Sequence, residues 1–386
     1  MEFTEFRDQL PVTSENIYMN TGWSGPSPSS VISAIHKHLL LESAKGPTSP
    51  LVLDISHSIE NETRDSFAKL LNVQAKEITL TQNTTDGLNI VINGIDWQAG
   101  DELITFSLEH SSVLIPAYYL QQRKGVVVKV IDLKPDEEHD SIISKVQNAL
   151  TERTKLLFFS HIQYTSGLRM PAKELGKLTK ANGTKMLLDG AQTAGHISLD
   201  LKDLDCDYYA ITGHKWLLGP EGVGALYIKE DLIEALTPAK VSGRAALKYD
   251  QFGGYDPATL SAKKFELTST NAALFAGANE AIKFHFNIGA QNIEMESNSL
   301  ANYAKNALKD LQGITVHSPL TGNGCTGLVA FSIENWEPKD LVNIFWEKRN
   351  IVSRSVKELK AVRLSLDFFN TTEEIDQVIK CIKELI

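Results

Sequence analysis

Cysteine is scarce in this chain. Only Cys206, Cys325 and Cys381 occur among 386 residues. They are odd in number and far apart, so no disulfide framework is expected. Basic residues are outweighed: 38 lysines and arginines against 48 acidic residues give a formal net charge of −10. That balance, with a pI near 5.5, argues against a nucleic-acid partner. No apolar run approaches the roughly 20 residues that cross a bilayer. The opening Met1-Glu-Phe-Thr-Glu-Phe-Arg-Asp8 has neither the basic region nor the apolar core of a signal peptide. No Gly-x-Ser-x-Gly elbow supports reading Ser160-His161 as part of a hydrolase triad. His36 and His38 fall in an expected helix, where residues two apart do not share a face, so no metal site is expected. These absences leave a cytoplasmic protein with neither a membrane nor a nucleic-acid partner.

With 42% hydrophobic and 22% charged residues, the chain is of globular composition and long enough for two domains. Its informative stretch runs from Met186 to Trp216. Two short apolar runs, Met186–Leu188 and Tyr208–Ile211, each end in a polar cluster: Asp189-Gly-Ala-Gln192 and Thr212-Gly-His-Lys215. Such runs suit buried parallel strands, and ligands in open α/β sheets sit beyond the carboxyl ends of strands. Asp189, Gln192, Thr212, His214 and Lys215 are therefore expected to converge on one pocket. A lysine there can form a Schiff base with a carbonyl cofactor, and an aspartate can pair with a pyridinium nitrogen. The glycine-rich Gly219–Gly224 is neither a dinucleotide fingerprint nor a Walker loop; it is expected to permit tight backbone geometry around Lys215.

The rest of the chain reads as alternating strands and helices. Ile17–Pro28 is a short strand entering a Gly/Pro turn, and Ser29 or Ser30 is expected to cap a helix to about Ser43. A second helix is expected over Leu53–Leu71. Ile78–Asn89 is a strand, a polar turn and a helix start, where Thr84 and Thr85 offer hydroxyls and N–H groups to an anion; ordinary capping would use the same residues. Glu102–Phe106, Gly125–Ile131 and Leu156–Ser160 read as buried strands. Val241–Lys263 lacks periodicity and reads as a mobile loop. Two helices are expected between Ala272 and Leu311, then strands at Thr326–Ile333, Ile351–Ser353 and Val362–Leu366, with helices at Lys339–Arg349 and Thr372–Ile386.

Asp189-Gly-Ala-Gln192 followed by Thr212-Gly-His-Lys215 resembles the fold type I pyridoxal-phosphate enzymes of the class V aminotransferase and cysteine desulfurase family, and within it the cystine C-S lyases. The resemblance extends from Tyr18 to Glu384. It implies an α/β fold: a large cofactor domain with a mainly parallel sheet (18–264) and a smaller α+β domain (1–17 and 265–386). It implies pyridoxal 5'-phosphate bound by Thr84, Thr85, His110, Asp189, Gln192, Thr212, His214 and Lys215. His110 would stack on the pyridine ring, and Asn83 replaces a family glycine. In a homodimer with shared sites, Ser269 or Thr270 would reach the partner's phosphate. Gly22, with Thr165 or Tyr164, would line the substrate pocket.

Arg363 matches the family position that binds the substrate α-carboxylate, and Arg354 matches the cystine lyases. A second arginine suits a substrate with two carboxylates. No cysteine follows Arg354 where desulfurases carry their sulfur acceptor. The expected activity is β-elimination at the C–S bond of cystine- or cysteine-type amino acids, with Lys215 as the catalytic base. The alternatives are a class V aminotransferase, an isopenicillin N epimerase-like enzyme, or a desulfurase-like enzyme acting on another amino acid.

Overall fold

The computed structural model describes residues 3–386. Seven strands form the main sheet: β1 (Ile78–Thr81), β2 (Glu102–Phe106), β3 (Val127–Ile131), β4 (Thr154–Ser160), β5 (Lys185–Asp189), β6 (Tyr208–Thr212) and β7 (Gly224–Ile228). Their spatial order is β1-β7-β6-β5-β4-β2-β3. From β3 to β6 all pairings are parallel, while β7 runs antiparallel to β6 and β1. Successive side chains point to opposite faces, and both faces are covered. Phe159, Leu188 and Tyr209 enter one apolar cluster, whereas Phe158, Leu187 and Tyr208 enter another. This two-sided burial explains why the strands read as continuous apolar runs. The run at Val127–Ile131 departs from that expectation. It is an edge strand, paired among the described residues with β2 alone, and it is only partly buried.

Helix α1 (Ser29–Lys45) starts from Pro28, with no capping side chain from Ser29 or Ser30. Helix α2 (Pro50–Leu71) follows. Helix α3 (Thr84–Gly94) is capped by Asn83, whose side chain accepts the Asp86 N–H at 3.0 Å. The residue that departs from the family glycine thus satisfies a free helix N–H. Helix α4 (Ser111–Lys124) begins beside the site at His110. Val241–Lys263 is more ordered than its composition suggested, with a hairpin joining Ala246–Tyr249 to Tyr255–Pro257.

Helix α5 (Ala272–Ile288) packs on α1 and α2. Phe275, Ala278 and Ile282 complete one face of the main core. We propose on that packing that the boundary between the units lies near Gly289 rather than at 264/265. Helix α6 (Ala290–Lys309) covers a second, antiparallel sheet of β8 (Ile314–Val316), β9 (Leu328–Ile333), β10 (Arg354–Val356) and β11 (Ala361–Ser365), in the order β8-β9-β11-β10. The chain start is stitched to this unit: Ile17–Tyr18 pairs in parallel with Ile351–Val352, and Asn20 bridges to Ser365.

The turn after β6 is fixed by backbone contacts. Gly25 N–H donates to His214 O at 2.7 Å, and a Cβ at Gly25 would lie 2.1 Å from Lys215 O. Gly25→Ala should cost about 1–3 kcal/mol, the usual penalty for overpacking, read as a lower urea midpoint. An unchanged midpoint would mean that the two segments do not press together.

Candidate active site

Strand register assembles the site. Ser160 is opposite Asp189 and Asp189 is opposite Ala210, so β4, β5 and β6 end side by side. Beyond those ends lies a cavity of about 300 Å³. Thr84, Thr85, His110, Asp189, Gln192, Thr212, His214, Lys215 and Arg354 all line it. The positions expected to converge from the Met186–Trp216 stretch therefore do so.

Burial pushes the Lys215 amine down to about 8; Asp189 opposes the shift, while Arg363 and Arg354 add to it. Burial raises the Asp189 carboxyl, against the Ala191 N–H at 2.8 Å and the charge of Lys215. Burial, then Lys215 and Arg354, bring His110 down to about 4, so its ring is neutral at physiological pH. His110 Nδ1 accepts the Ser112 N–H at 3.1 Å, which fixes the ring at the start of α4. Its edge meets Tyr164 at 5.0 Å.

Gln192 is held at both ends. Its Nε2 donates to Gly22 O and its Oε1 accepts from Trp216 Nε1, each at 2.8 Å. His196 stacks on Trp216 at 3.6 Å and 6°. His196 Nε2 accepts the Gly327 N–H at 3.0 Å, so Nδ1 carries the proton donated to Gln192 O. Thr212 Oγ1 and His214 Nδ1 are hydrogen-bonded at 2.7 Å.

Five expected site residues lie off this cavity's lining. Arg363 is fully buried just behind it and donates to Tyr164 O at 2.6 Å, while its Nε and Nη2 have no partner. Gly22 lies against it: a Cβ there would be 3.1 Å from Arg363 Nη2. Thr165 is completely buried with an unpartnered hydroxyl, and its neighbour Tyr164 forms the wall instead. The two lie in a turn over residues 164–166, closed by the Gly167 N–H on Gln163 O at 2.8 Å, which sets Tyr164 at the cavity and Thr165 in the core. Ser269 and Thr270 line a neighbouring cavity that shares Asn83 and Thr85 with this one. Thr270 donates to Glu60 Oε2 at 3.3 Å. Two cavity residues were not expected from the sequence, where Ser160 reads only as half of a rejected hydrolase pair. Trp23 lies 4.4 Å under the Arg354 guanidinium, and its place directly after Gly22 was the available signal. Ser160 lines the cavity and is bonded to the buried Glu109.

The residues present suit pyridoxal phosphate. Asp189 is a buried carboxylate placed for a pyridinium, and Lys215 is an amine depressed toward neutrality. The start of α3 offers N–H groups and the unpartnered buried hydroxyl of Thr84 to a phosphate.

A family model described as aminotransferase class-V matches residues 17–378. The chain belongs to the class V aminotransferase family. These are pyridoxal-phosphate enzymes. Among curated relatives, a probable cysteine desulfurase of Methanothermobacter thermautotrophicus is 29% identical, over 100% of this chain and 98% of its own. A cysteine desulfurase of Salmonella agona is 30% identical, over 94% and 91%. Among solved structures, the cystine C-S lyase C-DES in complex with its product cysteine persulfide superposes with a TM-score of 0.90 at 26% identity, covering 96% of this chain and 98% of that one. A C-DES mutant with glycine covalently linked to its pyridoxal phosphate gives 0.91 at 26%, covering 97% and 98%.

Reaction of the apoprotein with pyridoxal phosphate should follow the neutral fraction of Lys215. The rate should rise with pH through a midpoint near 8 and then level off. Asp189→Asn removes the charge that opposes the depression and should move the midpoint lower. A midpoint near the ordinary lysine value of about 10.4 would mean that the amine is solvated.

Proposed function

We propose that this enzyme cleaves the C–S bond of cystine- or cysteine-type amino acids by β-elimination, as a cytoplasmic homodimer. One observation carries the reading. Arg354 and Arg363 are direct cross-strand partners at the cavity, while none of the three cysteines lines it. Cys206 and Cys381 are buried and Cys325 lies in another cleft. Two guanidiniums suit a substrate with two carboxylates, and a cavity without a thiol lacks a sulfur acceptor. The persulfide product of C-DES agrees in kind. Support for the dimer comes from half-exposed Ile32, Leu39 and Leu40 on α1, continued by Leu51 and Leu53 on α2. Among the described residues no helix is long and apolar enough to cross a membrane.

Bound here, pyridoxal phosphate would supply an aldehyde for the substrate amine and an electron sink for the α-carbon. Asp189 would hold a proton on the ring nitrogen. Thr84, Thr85, Thr212 and His214 would hold the phosphate and His110 would cover one ring face. In this reading Arg363 binds the α-carboxylate with the N–H groups that lack partners, and Arg354 takes the second carboxylate. Lys215, partly neutral near pH 8, removes the α-proton, a contribution of about 10²–10⁴-fold in such sites. Loss of sulfur from the β-carbon and hydrolysis yield pyruvate and ammonia; from cystine the sulfur leaves as cysteine persulfide.

Incubation of the loaded enzyme with L-cystine should give pyruvate and sulfane sulfur, and Lys215→Ala should abolish both. Alanine instead of pyruvate would mean that a cysteine accepts sulfur after all. Keto-acid-dependent turnover without pyruvate would mark an aminotransferase, and loss of optical activity alone an epimerase. Arg354→Ala should raise KM for cystine by about 10–100-fold, from a charged hydrogen bond of about 1.5–3 kcal/mol. An unchanged KM would remove Arg354 from substrate binding.

A further inference from the structure

Glu109 is 3% exposed, and every hydrogen-bond partner it has is neutral. Both carboxyl oxygens face the Ser160 N–H at 3.0 Å. Gln163 Nε2 donates to Oε1 at 2.7 Å, and Oε2 meets Ser160 Oγ at 2.5 Å. Ser160 is the branch point. It lines the Lys215 cavity and sits in register with Asp189 at the strand ends, so the two side chains share one face of the sheet. A serine hydroxyl has one hydrogen and can donate it in only one direction.

We propose that Glu109 and Ser160 form a proton-gated donor in the cavity wall. A protonated Glu109 donates from Oε2 to Ser160 Oγ, which frees the serine hydrogen for a ligand held by Asp189. An ionised Glu109 takes that hydrogen and leaves only serine lone pairs facing the ligand. One proton exchanges between solvent and Oε2, and no other bond changes.

The charges around Glu109 set the pH at which the gate works. Burial is the main cause that brings this carboxyl up to about 7, Asp189 adds, and the Ser160 and Gln163 hydrogen bonds oppose. Lys215 lies beyond Asp189. His110, next in the chain, is held neutral. So is His161, next to Ser160, with its Nδ1 at 2.8 Å from the Tyr209 hydroxyl. Because the folded-state pKa is raised above that of the unfolded chain, the protonated form favours folding, and that stability is lost as pH rises from the ordinary carboxyl range through about 7. Only the identity of the ligand rests on the cofactor reading; the proton does not.

Infrared spectra of the apoprotein between pH 6 and pH 9 test the proton directly. A protonated-carboxyl C=O band should fade with a midpoint near 7 and be missing from Glu109→Gln. The comparison is needed because Asp367 is also a buried acid, pushed up to about 8. In Ser160→Ala the band should persist at a shifted frequency. A spectrum of Glu109→Gln identical to wild type would overturn the proposal. So would an unshifted band in Ser160→Ala, which would mean that Glu109 does not donate its proton to Ser160.

Pyridoxine 5'-phosphate, which has no aldehyde for Lys215, tests the readout. The ratio of its Kd at pH 9 to that at pH 6 should be at least about threefold smaller in Ser160→Ala and in Glu109→Gln than in wild type. Equal ratios in all three proteins would overturn the gate. If the infrared titration behaves as expected but this phosphate does not bind any of the proteins, the cofactor reading fails and the gate stands.

Discussion

Two groups of opposite charge, Asp189 and Lys215, are withdrawn from water in the wall of one cavity, and much of the surrounding structure follows from keeping them there. Neither would stay charged in isolation at that depth. Each opposes the shift that burial imposes on the other. Their separation is set by the parallel register of β5 and β6, so any slip in pairing would part them. Close backbone approach does the rest. Gly190 exists because a Cβ there would lie 2.2 Å from the Tyr209 ring, and Gly195, at φ +87, because one would lie 2.4 Å from Trp216 O. Tyr209 then bonds Thr193 and His161, which ties β6 to the segments that follow β5 and β4.

That frame reaches the smaller unit through few but specific links. Gln192 couples to Trp216, Trp216 to the stacked His196, and His196 to the backbone of Gly327 at the edge of β9. Arg169 and Glu294 pair at 2.8 Å across the same divide. The strand at Ile17–Tyr18 crosses over to Ile351–Val352. Position of the small sheet, and so of both arginines, is thereby tied to the residues that flank Lys215.

How much of this was legible in the chain depended on whether a residue's role was local. Asp189, Gln192, Thr212, His214 and Lys215 were readable because each ends or follows a short apolar run, and strand ends gather in one place. The edge position of Val127–Ile131 was not, since an apolar run looks the same with one neighbour or two. The hairpin at 246–257 was hidden by a lack of periodicity. Helix α5 was assigned by order along the chain, whereas its partners α1 and α2 lie more than 200 residues earlier. Tyr164 and Thr165 were indistinguishable until the turn they share put one at the cavity and one in the core. Trp23 and Ser160 matter through partners, Arg354 and Glu109, that no spacing rule connects to them.

Arg354 and Arg363 face each other across β10 and β11, an arrangement in which like charges repel. Arg363 is also fully buried, with two donors unmatched. Glu358 offsets part of the Arg354 charge, but among the described residues no carboxylate pairs with Arg363. An anion that enters brings relief to the fold as well as occupancy to the site, and this holds for any small carboxylate of suitable reach, including those the enzyme cannot transform. Under the proposed function, the same feature that selects an amino acid by its charge would make the protein answerable to the general pool of organic acids around it.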